Sequence, residues 1–118
     1  MRLPVGFRVV SATGEFEQRV EEMVRAVPAG TVASYGRVAE WVGAPGAARA
    51  VGGALAGGLD APWHRVVTAS GRLVPGYERE HTRLLVAEGV AVRSGYVAAP
   101  IPWWAGPSPA TTGDSGRA

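Results

Sequence analysis

Cysteine is absent from this chain, which excludes disulfides, thiolate metal sites and thiol nucleophiles together. Lysine is absent as well, so all 12 basic residues are arginines, set against 10 acids for a net charge of only +2. A total so near neutrality argues weakly for a polyanionic partner. Long apolar runs are also missing. None approaches the roughly 20 residues that span a bilayer, and the opening stretch is interrupted at Pro4, Gly6 and Arg8 before the apolar centre of a signal peptide forms. The expectation is a soluble cytoplasmic protein, nucleoid-associated if bacterial, with no membrane partner, no metal and no organic cofactor. Its 118 residues have room for one hydrophobic core.

The distribution of charge says more than its sum. Glu15, Glu17, Glu21 and Glu22 crowd the first predicted helix, whereas residues 31–76 carry Arg37, Arg49, Arg65 and Arg72 against Glu40 and Asp60. The middle of the chain is therefore the better phosphate-facing surface. Residues 1–14 show no helical period and read as an extended arm. Phe16, Val20, Met23, Val24 and Val27 recur at steps of three and four, which predicts a helix over 15–27 with its early acids suited to the helix dipole. Ser34 is an N-cap for a second helix reaching Val42, and Gly43 closes it. Pro45 suits a first helical position, and a third helix is predicted over 46–56. Helix, tight turn and helix make a helix-turn-helix. Short strands over 64–68 and 72–74, around Ser70-Gly71, read as a β wing. A helix follows over 78–87 and stops at Gly89, and residues 90–98 return as a strand. From Ala99 onward Pro, Gly, Ser and Thr dominate, so residues 99–118 are expected to be a largely disordered tail in which Trp103 and Trp104 can dock locally. The fold class expected is mainly α and winged-helix-like, with one domain over 15–98.

The third helix is unusual in composition. Ala47, Val51, Ala54 and Leu55 form its core-facing stripe, while Gly46, Arg49, Gly52, Gly53 and Ala56 lie opposite. An interior glycine costs about 1 kcal/mol relative to alanine, so two in succession need a reason. One reason is close approach of another surface, such as a DNA groove, with Arg49 projecting between bases. The other is tight helix packing within the protein, with Arg49 merely solvated.

Three ordered motifs go further. Ala33-Ser34-Tyr35-Gly36, then Ala47-Ala48-Arg49-Ala50-Val51-Gly52-Gly53-Ala54, then Pro62-Trp63-His64-Arg65-Val66-Val67 together resemble the DNA-binding domain of the O6-alkylguanine-DNA alkyltransferases, over about residues 16–89. In those repair proteins the last motif is Pro-Cys-His-Arg-Val, and its cysteine accepts the alkyl group from a guanine rotated out of the duplex. Trp63 stands at that position here. A Pro-Trp-His-Arg motif in a short chain is similar to the alkyltransferase-like proteins, which bind such lesions and recruit nucleotide excision repair.

The resemblance implies a monomer that recognises O6-alkylguanine in double-stranded DNA by minor-groove binding and nucleotide flipping, without enzymatic repair. It assigns Arg49 to the finger that fills the vacated base stack and Tyr35 to rotation of the phosphate, with Gly52 and Gly53 on the DNA-facing surface. Pro62, Trp63, His64 and Arg65 are assigned to the lesion pocket, and Glu88 to its support through His64. Read without the motifs, Tyr35 also fits a half-buried helix aromatic, and Trp63 reads first as a core tryptophan on a buried strand end. Two other functions stay open, a hydrolytic dealkylase using water activated by His64 and Glu88, and a winged-helix regulator that reads sequence in the major groove. The chain also departs from the pattern in a shorter stretch between Ala54 and Pro62, with Gly57-Gly58 where the repair enzymes usually have an asparagine. Pro75-Gly76-Tyr77 stands where some related sequences carry a basic residue.

Overall fold

A computed structural model describes residues 11–107. The first helix, α1 (Ser11–Arg25), begins inside the stretch expected to be an arm, and residues 1–10 of that arm lie outside the described residues. Because α1 starts four residues earlier than predicted, no acid occupies its first turn, and the dipole argument for the early glutamates fails. Its last turn tightens: Ala26 and Val27 donate to Met23 and Val24, three residues back. Pro28 has no amide to continue the ladder and disfavours a helical residue before it.

Strand β1 (Ala33–Ser34) leads directly into α2 (Tyr35–Trp41), and the Ser34 hydroxyl accepts the Arg37 amide as the expected N-cap. At the other end Gly43 takes φ +86°, Gly43 donates to Glu40 and Ala44 donates to Ala39. That pair of bonds is a Schellman motif and turns the chain sharply. Helix α3 (Ala48–Ala56) completes the helix-turn-helix, but it starts later than predicted. Gly46 adopts φ +90°, a left-handed value that no helix contains, so Pro45 lies in the turn and not at the first helical position.

The wing differs from its expected form. Residues 63–65 make a 3₁₀ turn, and β2 is only Val66–Val67. It pairs parallel with β1, Ala33 opposite Val66 and Ser34 opposite Val67, and not with residues 72–74. A tight turn does form at Ser70-Gly71, closed by Thr68 donating to Arg72. Arg72 then bridges to Tyr96, within an antiparallel hairpin of β3 (Val92–Arg93) and β4 (Tyr96–Val97). Positive φ at both Ser94 and Gly95 sets the turn of that hairpin, so the strand expected over 90–98 folds back on itself.

Helix α4 (Glu78–Ala87) matches its predicted span. A second Schellman motif ends it: Gly89 has φ +85° and donates to Val86, and Val90 donates to Leu85. The core has two parts. One gathers Val20, Val24, Val27, Val38, Val51 and Val66 between the first three helices, and the other gathers Val32, Val67, Leu73, Leu85, Val90 and Val97. Among the described residues no helix is long and apolar enough to cross a membrane.

The tail boundary at residue 99 is also revised. Residues 101–104 run beside Val32, with Val32 donating to Pro102 and Trp104 donating to Val32. Trp104 sits edge-on to Trp41 with ring centroids 5.1 Å apart, which is the local docking anticipated for the tryptophans. Residues 108–118 lie outside the described residues.

Candidate nucleic-acid interface

The parallel pairing of β1 with β2 brings the start of α2 beside the 3₁₀ turn, and thereby Tyr35 beside Trp63. Between them lies a cavity of about 350 Å³. Tyr35, Gly52 and Leu55 line it from the helix-turn-helix, Gly58 and Leu59 from the loop after α3, and Trp63, Val74 and Tyr77 from the opposite side. The lining is mainly apolar, and burial pushes the Tyr35 phenol above its ordinary pKa. The shortened loop before Pro62 is anchored on α1. Arg25 donates to the Asp60 carbonyl at 2.7 Å and to its carboxylate at 2.9 Å, while Glu21 accepts the Asp60 amide at 2.8 Å.

On α3, Arg49 is exposed and makes no hydrogen bond or ion pair with any described residue. A Cβ added at Gly53 would meet nothing within 4 Å, and one at Gly52 would rest 3.8 Å from the Tyr35 ring, an ordinary contact. Alanine therefore fits at both positions, and packing inside the protein requires neither glycine. What remains is an outer face of small residues whose one cation has no partner among the described residues, next to the cavity.

Behind Trp63 the structure places a residue that sequence reasoning missed. His81 is fully buried on α4, its imidazole 4.9 Å from the indole centroid and inclined at 59°. The Val74 amide donates to Nδ1 at 3.1 Å, so Nδ1 is unprotonated and Nε2 carries the hydrogen that meets the His64 carbonyl at 2.8 Å. Burial, the largest influence, pushes its pKa down and keeps the ring neutral. His81 thus ties the Trp63 turn, the Val74 wall and α4 together. The signal was its spacing, because 81, 85 and 88 share one helix face with buried Leu85.

The remaining predicted residues divide. Tyr35, Gly52 and Trp63 line the cavity, whereas Pro62, His64 and Arg65 do not. Pro62 starts the 3₁₀ turn at φ −75°. His64 Nε2 lies 2.9 Å from Glu88, as expected, but Arg65 turns inward too. Its guanidinium donates to Glu88 at 2.6 and 2.9 Å and to the Val27 carbonyl at 2.8 Å. Arg65 is therefore a support of the turn, not a pocket residue. Its hydrogen bonds, opposed by burial and reinforced by His64, hold the Glu88 carboxyl at about 2. Both Glu88 oxygens face Arg65, and neither Glu88 nor His64 opens on the cavity, so the pair has no water-activating position there.

The family described as "6-O-methylguanine DNA methyltransferase, DNA binding domain" matches residues 15–90. The chain belongs to it. The DNA base-flipping protein of Escherichia coli (strain K12) is 47% identical over 83 residues, which cover 65% of this chain and 64% of that protein. The methylated-DNA–protein-cysteine methyltransferase of Mycobacterium leprae (strain TN) is 52% identical over 63 residues, covering 51% of this chain and 38% of that one. The chain thus spans less than two thirds of the length of either relative. Among solved structures, S. pombe Atl1 in complex with damaged DNA containing O6-carboxymethylguanine aligns with a TM-score of 0.69 at 30% identity, covering 76% of this chain and 94% of that one. Mycobacterium tuberculosis OGT in complex with DNA aligns at 0.56 with 39% identity, covering 73% and 53%.

Proposed function

We propose that this protein binds double-stranded DNA carrying O6-alkylguanine, turns the modified nucleotide into the cavity beside Trp63, and holds it there unrepaired. One observation carries the reading: a cavity of about 350 Å³ with a tryptophan at the family's cysteine position, adjoining a helix face that is bare except for Arg49. Its volume lies within the range of about 300–1,000 Å³ typical of small-ligand sites. Extrusion of a nucleotide costs a few kcal/mol of stacking and pairing. Arg49 offsets that cost from the vacated stack, and the bare Gly52-Gly53 face allows α3 to lie deep in the minor groove. Tyr35 guides the nucleotide inward from the start of α2. The Trp63 indole gives an alkylated purine an apolar wall but has no thiolate to accept the alkyl group. Held this way, by a monomer in the cytoplasm or nucleoid, the lesion becomes a mark for nucleotide excision repair proteins. The names of the E. coli relative and of the Atl1 complex support the same reading.

The test is a titration of matched duplexes with guanine or O6-methylguanine at one fixed salt concentration, with a fluorescent base analogue reporting extrusion. Lesion preference with extrusion is expected, and equal affinity for the two duplexes overturns the proposal. Mass spectrometry of protein and DNA afterwards should find both masses unchanged. Loss of the alkyl group from the DNA would make the protein an enzyme.

A further inference from the structure

A second depression lies beside the first and is built partly from residues beyond the family match, which ends at residue 90. It is a groove of about 400 Å³ whose walls include Ser34, Arg37 and Trp41 from the helix-turn-helix, Ala69 from the turn after β2, and Trp103 and Trp104 from the C-terminal segment. The groove is preformed. Trp104 is fixed edge-on against Trp41, and Gly106, at φ +106°, lies so close that an added Cβ would come within 2.9 Å of the Trp41 ring. Trp103 is held by its bridge to Val32 yet remains 42% exposed, so an indole is presented to the outside from a fixed backbone.

We infer that this groove holds the DNA strand flanking the extruded nucleotide, Arg37 meeting a phosphate and Trp103 packing on a neighbouring sugar or base. The inference rests on the base-flipping reading above. Proximity is the first argument: Tyr35 lines the lesion cavity and its chain neighbour Ser34, whose Cα lies about 3.8 Å away, lines the groove. A strand that delivers one nucleotide past Tyr35 passes next over Ser34. Chemistry is the second. Among the described residues lining the groove there is a cation and no carboxylate, and small side chains at Ser34 and Ala69 let a backbone come close. Arg37 is exposed, 5.3 Å above the Trp41 ring, and its contact with Glu40 is a loose 3.8 Å, so a phosphate can take that place without breaking a tight pair. An exposed indole beside an arginine is the combination that tracks a nucleic-acid strand, stacking on any base and pairing with any phosphate.

The experiment uses the full chain, with Trp103→Ala and Arg37→Gln, on three O6-methylguanine duplexes: one flanked on both sides, and two that end near the lesion on one side or the other. On the fully flanked duplex, Trp103→Ala is expected to bind about tenfold more weakly. Arg37→Gln should lower the slope of log affinity against log salt by about one. Both losses should vanish on one of the shortened duplexes and persist on the other, and the ratio of lesion to guanine affinity should stay at its wild-type value. Arg37 sits on the exposed face of α2, so its variant reports even where Trp103→Ala loosens the C-terminal segment. Variants that match wild type on every duplex, or lose equally on both shortened ones, overturn the groove. A wild type without lesion preference overturns instead the base-flipping reading beneath it.

Discussion

Glu88 illustrates how one side chain serves the site without touching it. It receives His64 and Arg65 together at the end of α4, and its carboxyl is held at about 2 against an ordinary 4.5. A carboxyl whose folded pKa is depressed adds stability that is complete above its unfolded value and is lost as pH falls through the folded one. That contribution should therefore be full above about 4.5 and fade toward 2. Glu88→Gln, which leaves Arg65 without its counter-charge, should cost about 1 to 3 kcal/mol at neutral pH. The difference from wild type should shrink through the same acid window, as urea melts at a series of pH values would record. A difference that stays constant would show that the charge is not what stabilises the turn. Arg49 is the opposite case, a side chain with no role in the described fold. Arg49→Ala should reduce lesion affinity by about 1 to 3 kcal/mol, and Arg49→Lys should recover little, because lysine has no planar group to stack. A phosphate contact would give the reverse, with Lys nearly equal to Arg across a salt series.

At the scale of the element, α3 trades helix stability against access. Gly53 faces open space, so Gly53→Ala removes backbone entropy from the unfolded chain without a clash. Its melting temperature should rise, corresponding to about 0.5 to 1 kcal/mol. Affinity for DNA should fall in the same protein, because the added methyl meets the groove wall. A variant more stable and equally tight on DNA would remove close approach as the reason for the glycine. The two Schellman turns have a different task. One orients α3 against α2, and the other closes α4 immediately after Glu88, the residue that meets Arg65.

For the whole molecule, the packed unit extends past the family's boundary. Trp104 covers the edge of Trp41, and its amide closes the bond to Val32 that seats the C-terminal segment on the core. Trp104→Ala should destabilise the protein by about 2 to 3 kcal/mol in chemical denaturation, as loss of a partly buried aromatic does. Wild-type stability would mean that residues 101–104 merely lie on a core complete without them. Their covering of Trp41 also joins the first core, between the helices, to the second, which contains Val32, Val67 and Val97.

Helical period, the Ser34 cap and the glycine stops were sufficient to locate α2 and α4 from the residues, and three ordered motifs were sufficient to place Tyr35, Arg49 and Trp63 in one family pattern. These signals are local, since a helix bonds within itself and writes its buried face at every third or fourth position. The strands left no such mark. At two residues each they are too short for an alternating pattern, and β1 pairs with β2 across more than thirty positions of chain. Nothing in Arg65 says that it turns away from Trp63, because its partner lies 23 residues on, and nothing in His81 names the Val74 amide and His64 carbonyl that bury it. Such pairings exist only once distant segments meet. A buried polar group must find its partner in whatever the folded chain brings near, and that is why the motif residues were legible in the sequence while the place of His81 and the orientation of Arg65 and His64 were decided by the tertiary structure alone.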